Sequence, residues 1–390
     1  MNELPLSGIR IIDFSWIIAG PTAARHLALM GAEVIKVGSS RRPDPSTKGS
    51  PYQVYNQSKE YCALNLSNKD SKNIAIDLIS TADVVIENFA AGVFDRMGFD
   101  YETLREYRPD IILLSSAGTG HTGPDKNFVA YGSLLQHYTG WNTISGYGDG
   151  NPIKGGLWAD PWVGMELSMI LMAAINHRME SGKGQYIDYS MAESLTASIS
   201  SSILDYQISG KLSEPNGNKS LNKYPHGLYK CLGTDKWVSI SIDNNIQWNE
   251  FCELINQVKW VNNSDFNTVE KRKLYELEID KVINDWTKLQ EDYDVMHILQ
   301  AIGIEAAPSL DISRVYSDPS LYESGFLSNH VFADGTEKML PTLPWNFTNI
   351  SDFELSAAPN IGDSNEKIYL DLLGIDIKIY KDLIEKKVIY

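Results

Sequence analysis

The stretches "GIRIIDFSW", "GPTAARHLALMGA" and "EVIKV" follow one another at the start of the chain. The first and third are short apolar runs rich in β-branched residues, which reads as buried strands. The second carries apolar residues at helical spacing, with Pro21 near its start and Gly31 at its end, the usual start and stop signals of a helix. Strand, helix and strand in this order make a βαβ unit, and its two strands must lie parallel. The pattern recurs with helix "SKNIAIDLISTA", strand "DVVIEN", helix "YETLREY" and strand "DIILLSSAG". Such alternation predicts an α/β fold, a doubly wound parallel sheet with helices on both faces.

From Met165 to about Gly210 the pattern is mostly helical, broken by "SGKGQYIDYSM", a turn followed by a strand. The polar stretch "SEPNGNKSLNKYPHG" reads as a linker. After it, "LYKCLGTDKWVSISI" predicts two short strands around a Gly-Thr-Asp turn, then helical, Trp-containing segments run to about residue 303. Two short helices close the chain. A length of 390 residues fits two or three domains.

Several classes of function fall away. A net charge of −16 argues against nucleic acid or an anionic membrane as partner. Cys62, Cys231 and Cys252 are odd in number and form no C-x-x-C, so neither a disulfide framework nor a zinc site is expected, and a cytoplasmic setting is. The seven histidines show no metal-binding spacing, and no metal is expected. The start has no basic segment followed by a long apolar run, so no signal peptide is expected, and the apolar run Met169–Ile175 is too short to span a bilayer. The first strand–helix turn, "SWIIAGPTAA", lacks G-x-G-x-x-G, and Val37 and Gly38 stand where a nicotinamide enzyme would place its ribose-binding acid. No nucleophile elbow or P-loop is present.

Five features remain as candidates. In "KGGLWADPWVGMELSMILMAAI" a single carboxylate, Asp160, stands between Trp158 and Trp162 at the head of a long apolar helix. Asp followed by Pro161 also reads as an ordinary helix N-cap. "IIAGPTAA" opens the first helix, where backbone N–H groups suit an anion. In "ENFAAGVFDRMGF", Asn88 and Phe89 follow a strand end, and Arg96 carries a planar fork suited to phosphate. The glycine-rich "AGTGHTGPDKNFVAYGSLLQHYTG" holds His121 and His137. Lys36, Arg41, Arg42, Lys48 and Lys59 form the best local cation site in an acidic chain, or else a solvated face. A catalytic nucleophile need not be a hydroxyl or a thiol, because a carboxylate can attack directly.

Taken together, "GIRIIDFSWIIAGPTAARHLALMGAEVIKV", "ADVVIENFAAGVFDRMGFDYETLREYRPDIILLSSAGTGHTGP", "GKGQYIDYSMAES", "GIEAAPSLDISRVYSDPSLY" and "APNIGDSNEKIYLDLLGI" resemble the class III coenzyme A transferases, which include formyl-CoA:oxalate and carnitine-type enzymes. The resemblance implies a Rossmann-like large domain interrupted by a smaller α+β domain. The implied boundaries are 1–210, 211–318 with its linker, and a C-terminal segment 319–390 returning to the large domain. It implies an interlocked, ring-like subunit in a homodimer. Coenzyme A and its thioesters are then substrates, with no tightly bound cofactor, and the partner is a small carboxylic acid.

The same resemblance makes Asp160 a covalent nucleophile that passes through an aspartyl-CoA thioester. It assigns coenzyme contacts to Ile18, Ala19, Leu64, Asn88, Phe89, Arg96 and Tyr131. Gly38 and Ser39 stand where relatives often carry an acidic and a basic residue, so Arg41 or Arg42 is expected to meet the coenzyme phosphates. "NKYPHGLYKC" replaces the glycine run of the formyl-CoA enzyme, so formyl-CoA and oxalate are not the expected pair. Two other functions compete. An α-methylacyl-CoA racemase needs a histidine base where this chain has Tyr131, a poor base near neutral pH. A non-catalytic acyl-CoA-binding protein would have no need of Asp160.

Overall fold

A computed structural model describes residues 4–148, 151–153, 155–331, 335–348 and 355–390. Lys154, at the head of the stretch containing Asp160, lies outside these residues, and so does the side chain of Lys48. The chain forms two compact units. The first comprises Met1–Asn142, Lys154–Lys211 and Ser320–Tyr390, and the second Thr143–Ile153 and Leu212–Pro319.

The first unit is built on a six-stranded sheet. Its strands are β1 (Arg10–Asp13), β2 (Glu33–Gly38), β3 (Glu60–Ala63), β4 (Val84–Glu87), β5 (Ile112–Ala117) and β6 (Gln185–Ser190). They lie in the order β3-β2-β1-β4-β5-β6, and every pairing is parallel. This is the doubly wound arrangement that the alternating pattern predicts. In register, Ile11 faces both Val34 and Val84 on neighbouring strands. The strands read as unbroken apolar runs because both sheet faces are covered.

One face is covered by α1 (Ala19–Leu29) and the long α6 (Ala159–Ser181), whose Leu27, Val163, Leu167 and Leu171 are fully buried. The other is covered by α2 (Ser71–Ser80), by α4 (Tyr101–Tyr107), which follows the single turn α3 (Val93–Arg96), and by C-terminal residues including Tyr369, Val388 and Ile389. Between β5 and β6 the chain also forms α5 (Gly132–Tyr138), and β6 leads into α7 (Met191–Ala197) and α8 (Ser200–Ser209). Hydrogen bonds tie the C-terminal segment to β3. The Ala63 N–H donates to Asn365 Oδ1 at 2.8 Å, and the Tyr369 hydroxyl donates to the Ala63 carbonyl at 3.0 Å.

The second unit carries a three-stranded antiparallel sheet of β7 (His226–Lys230), β8 (Trp237–Ser241) and β9 (Glu305–Pro308). The first two strands are those predicted around the Gly-Thr-Asp turn. Its core gathers Trp248, Phe251, Trp260 and Phe266 around a fully buried Arg272. That guanidinium donates to the Tyr224 carbonyl at 2.9 Å, to Asn245 Oδ1 at 2.8 Å and to the Phe266 carbonyl at 3.0 Å, and it lies 5.2 Å over the Trp248 ring. A buried cation is tolerable because carbonyls and a π-face replace its water. No helix among the described residues is long and apolar enough to cross a membrane.

The basic cluster read from the sequence needs correction. Lys59 is buried, and its ammonium donates to Asp13 Oδ2 at 2.9 Å, the Pro21 carbonyl at 3.0 Å and Asn56 Oδ1 at 3.1 Å. Lys36 is buried too. It donates to the Ser15 carbonyl at 2.7 Å and stands 3.6 Å from Asp44 Oδ2. Burial alone would raise the Asp13 carboxyl, but Lys59 and Lys36 together hold it below its ordinary value. Two of the five cations are therefore internal struts, because strand alternation turns Lys36 inward and Lys59 lies under α1. Arg41 and Arg42 remain exposed.

Candidate active site

The strand order reverses direction between β1 and β4, and the crevice beyond the carboxyl ends of strands at such a switch point is where open α/β sheets bind ligands. The turn after β1 is Trp16–Ile17–Ile18. Ile17 has φ of +69°, a left-handed conformation that strains a β-branched residue. Two side chains hold it. The Ile17 N–H donates to both carboxylate oxygens of buried Asp44, at 3.2 and 3.1 Å. Asn88, just past β4, accepts from the Trp16 N–H at 2.7 Å and donates back to the Trp16 carbonyl at 2.9 Å. Asp44 gave no signal in sequence, since its partner is a backbone N–H far along the chain.

Around this turn the structure brings together several residues singled out above. Phe89 packs edge-on to Trp16, 5.8 Å between centroids, and the Arg42 guanidinium lies 5.2 Å over the same Trp16 ring. Ile18 and Ala19 form the buried entry to α1. Arg41 is exposed on the loop after β2, and Arg96 is exposed on the turn after Phe89. Leu64, by contrast, is completely buried and pairs with Ile389 through a β-bridge, so its side chain belongs to the core. His137 is exposed on α5. His121 instead sits with Nε2 3.6 Å from Oε1 of Glu87, a fully buried carboxyl that burial pushes up to about 7.

Asp160 enters from the other side. It is the second residue of α6, with Trp158 in the capping position, so it does not act as the N-cap of its own helix. The two helices meet closely one turn later. A Cβ at Gly164 would stand 2.5 Å from Thr22 Cβ and 2.8 Å from the Ala19 carbonyl oxygen, so only glycine lets α6 cross the first turn of α1. This crossing carries Asp160 toward the same end of the sheet as Ile18 and Ala19. Gly132 lies against its carboxylate, since a Cβ there would stand 2.1 Å from Oδ1. Burial pushes the Asp160 carboxyl up to about 6, and the nearby Gly132 backbone lowers it only in part.

Tyr131 is exposed beside Gly132. Gln136, one turn along α5, is buried, and its Nε2 donates to the Gly156 carbonyl at 2.7 Å, pinning the glycine loop that leads to Asp160. Trp158 packs edge-on to Trp141, 4.8 Å between centroids, while Trp158 and Trp162 remain 37% and 39% exposed in the single chain. The arrangement can present a carboxylate of raised basicity where α6 crosses the first turn of α1.

CoA-transferase family III matches residues 6–365. The chain is 30% identical over 348 residues to a succinate–glutarate CoA-transferase of Agrobacterium fabrum, covering 85% of this chain and 86% of that protein. It is 29% identical to a formyl-CoA:oxalate CoA-transferase of Afipia carboxidovorans, covering 94% and 93%. A human succinyl-CoA:glutarate CoA-transferase is 25% identical, covering 100% and 91%. Among solved structures, a CAIB/BAIF family protein from Brucella suis superposes with a TM-score of 0.86 at 26% identity, covering 95% of this chain and 100% of that one.

Proposed function

Since the chain belongs to CoA-transferase family III, we propose that it moves coenzyme A from an acyl-CoA thioester to a free small carboxylic acid through an aspartyl-CoA thioester on Asp160. The observation that carries this reading is the half-buried Asp160 carboxyl, raised to about 6, where α6 meets the entry to α1. A carboxylate of that basicity is ionised at neutral pH, yet more nucleophilic than an exposed one. Asp160 attacks the thioester carbonyl, the coenzyme leaves as thiolate and a mixed anhydride forms. The thiolate then attacks the aspartyl carbonyl and the donor acid departs. The acceptor carboxylate reverses these steps. Each step exchanges one activated acyl group for another, so the thioester's free energy is retained if water is kept out.

The experiment that tests the reading supplies acyl-CoA without acceptor. Donor acid should appear in a burst, and hydroxylamine should convert Asp160 to a hydroxamate, detected by peptide mapping. Modification elsewhere, or none, sinks the reading. A racemase would instead exchange deuterium into the α-carbon and leave no adduct. The acids named in relatives, among them oxalate, succinate and glutarate, make short dicarboxylates the first acceptors to screen.

The coenzyme side of this proposal runs along Ile18, Ala19, Asn88 and Phe89, with Arg42, Arg41 and Arg96 available to the phosphates. Arg96 is exposed and remote from the thioester in this reading. Arg96→Ala should raise KM for acyl-CoA by about tenfold, the loss of one charge-assisted contact, with kcat nearly unchanged. Steady-state kinetics at saturating acyl-CoA checks this, and a large fall in kcat would refute it.

We read the working form as an interlocked homodimer. On α8 no residue is buried, and Leu204, Tyr206 and Ile208 are more than half exposed. Met169 and Met179 of α6 are also open. So much exposed apolar surface on these two helices calls for a protein partner. Sedimentation should give twice the mass of the chain, and Leu204→Glu with Ile208→Glu should lower it. A wild-type monomer at micromolar concentration would contradict the dimer.

A further inference from the structure

From Ser15 to Ile17, between β1 and α1, every backbone N–H is bound by a side chain. The Ser15 N–H donates to Asp13 Oδ1 at 2.9 Å, and the Ser15 carbonyl accepts from the Lys36 ammonium at 2.7 Å. Asn88 takes both groups of Trp16, accepting the N–H at 2.7 Å and donating to the carbonyl at 2.9 Å. The Ile17 N–H donates to Asp44. Asn88 follows β4, and Asp44 lies on the loop after β2. These two strands flank β1 in the sheet, so the turn is gripped from both sides. The grip has a purpose that the sheet does not need. Ile17 has φ of +69°, a region that a β-branched residue leaves in most molecules unless its surroundings hold it there.

We propose that Asn88 and Asp44 are positioning residues for coenzyme A: they hold Ile17 left-handed before any ligand arrives, and so fix the entry to α1 against which the coenzyme lies. The proposal rests on the reading of Ile18 and Ala19 as coenzyme contacts. It gives Asn88 a different part from the one the resemblance implies. The amide of Asn88 is engaged with Trp16 at both its oxygen and its nitrogen, so it acts through the backbone of the turn and not on the coenzyme. A wall set in advance removes an ordering cost from binding. When only a fraction of molecules carries the right turn, apparent affinity falls by that fraction. The turn touches no reacting atom, so its loss belongs in KM and not in kcat. Asn88 is the cleaner of the two to probe, because Asp44 also faces buried Lys36 at 3.6 Å and its replacement would strand that cation.

The test is a double-mutant cycle of Asn88→Ala and Ile17→Gly, read by calorimetric titration of the full chain with coenzyme A. Glycine takes positive φ about as readily as negative, so it needs no grip. With isoleucine at position 17, Asn88→Ala should weaken coenzyme binding about ten- to a hundredfold, the population lost when a strained residue is released. In the Ile17→Gly background the same substitution should weaken binding by less than about threefold. Equal losses in the two backgrounds overturn the proposal, because they mean that Asn88 touches the coenzyme directly. Unchanged affinity with isoleucine in place also overturns it, since a merely structural Asn88 would lower the melting temperature and leave binding alone. If Asn88→Ala fails to fold, hydrogen exchange of the wild-type enzyme decides. The Trp16 and Ile17 amides should be protected without coenzyme. Amides that exchange freely and become protected only when coenzyme A is added would mean that the ligand makes the turn, and the proposal falls. Failure of the underlying reading looks different. A photoreactive coenzyme A analogue bound to wild type would then label peptides other than the one holding Ile18 and Ala19.

Discussion

Asp160→Asn should lose transfer by on the order of 10⁴-fold or more, as the loss of a covalent nucleophile does, and yet be more stable than wild type at neutral pH. The second half of this expectation follows from the sign of the carboxyl's shift. Its folded-state pKa lies near 6, above the ordinary carboxylate value. The folded state thus holds the proton more tightly than the unfolded chain, and ionising Asp160 costs stability. That penalty is absent below the unfolded value, grows as pH rises and is complete above about 6. Asparagine brings the same shape into the site without a charge, so it should recover about 1–3 kcal/mol at pH 7.5 and little at pH 4. Denaturant melts at the two pH values, beside transfer assays, check both halves. An N-cap role predicts the reverse, with activity kept and about 0.5–2 kcal/mol lost on substitution by alanine. In wild type, kcat/KM should fall about tenfold per pH unit below about 6, as the nucleophile is protonated.

Lys59→Met should cost about 3–5 kcal/mol, because it leaves buried Asp13 without its nearest cation. Both side chains are fully enclosed, so water cannot replace the lost partner. The Asp13→Asn, Lys59→Met double variant should recover most of that loss. Asparagine still accepts the Ser15 N–H that Asp13 accepts at 2.9 Å, and no uncompensated charge remains at this pair. Urea midpoints for the four proteins of the cycle measure the coupling. A single Lys59→Met variant within about 1 kcal/mol of wild type would mean that Lys36 alone satisfies Asp13.

The sheet was legible in the sequence because its cause is local. Runs such as "GIRIIDF" and "EVIKV" have the length and apolar continuity of strands covered on both faces, and parallel strands admit few ways to be joined. Asp160 was legible as an anomaly, a carboxylate between two tryptophans, and the resemblance of the surrounding motifs gave it a role. Its surroundings were not legible. Gly132, which lies against the Asp160 carboxylate, belongs to another helix, and sequence shows which residues are polar but not which backbone they will face. The basic cluster misled for the same reason. Lys36, Lys59, Arg41 and Arg42 look alike in composition, yet strand pleat and packing turned the lysines onto Asp13 and Asp44 and left the arginines outside. Ile17, an ordinary strand residue by propensity, took a left-handed φ because Asp44 and Asn88 hold its turn from two neighbouring strand ends. Propensity and periodicity act over a few residues and so determined the elements. The raised carboxyl of Asp160 and its contact with Gly132 depend on burial and on groups distant in the chain, and only tertiary packing brought them together.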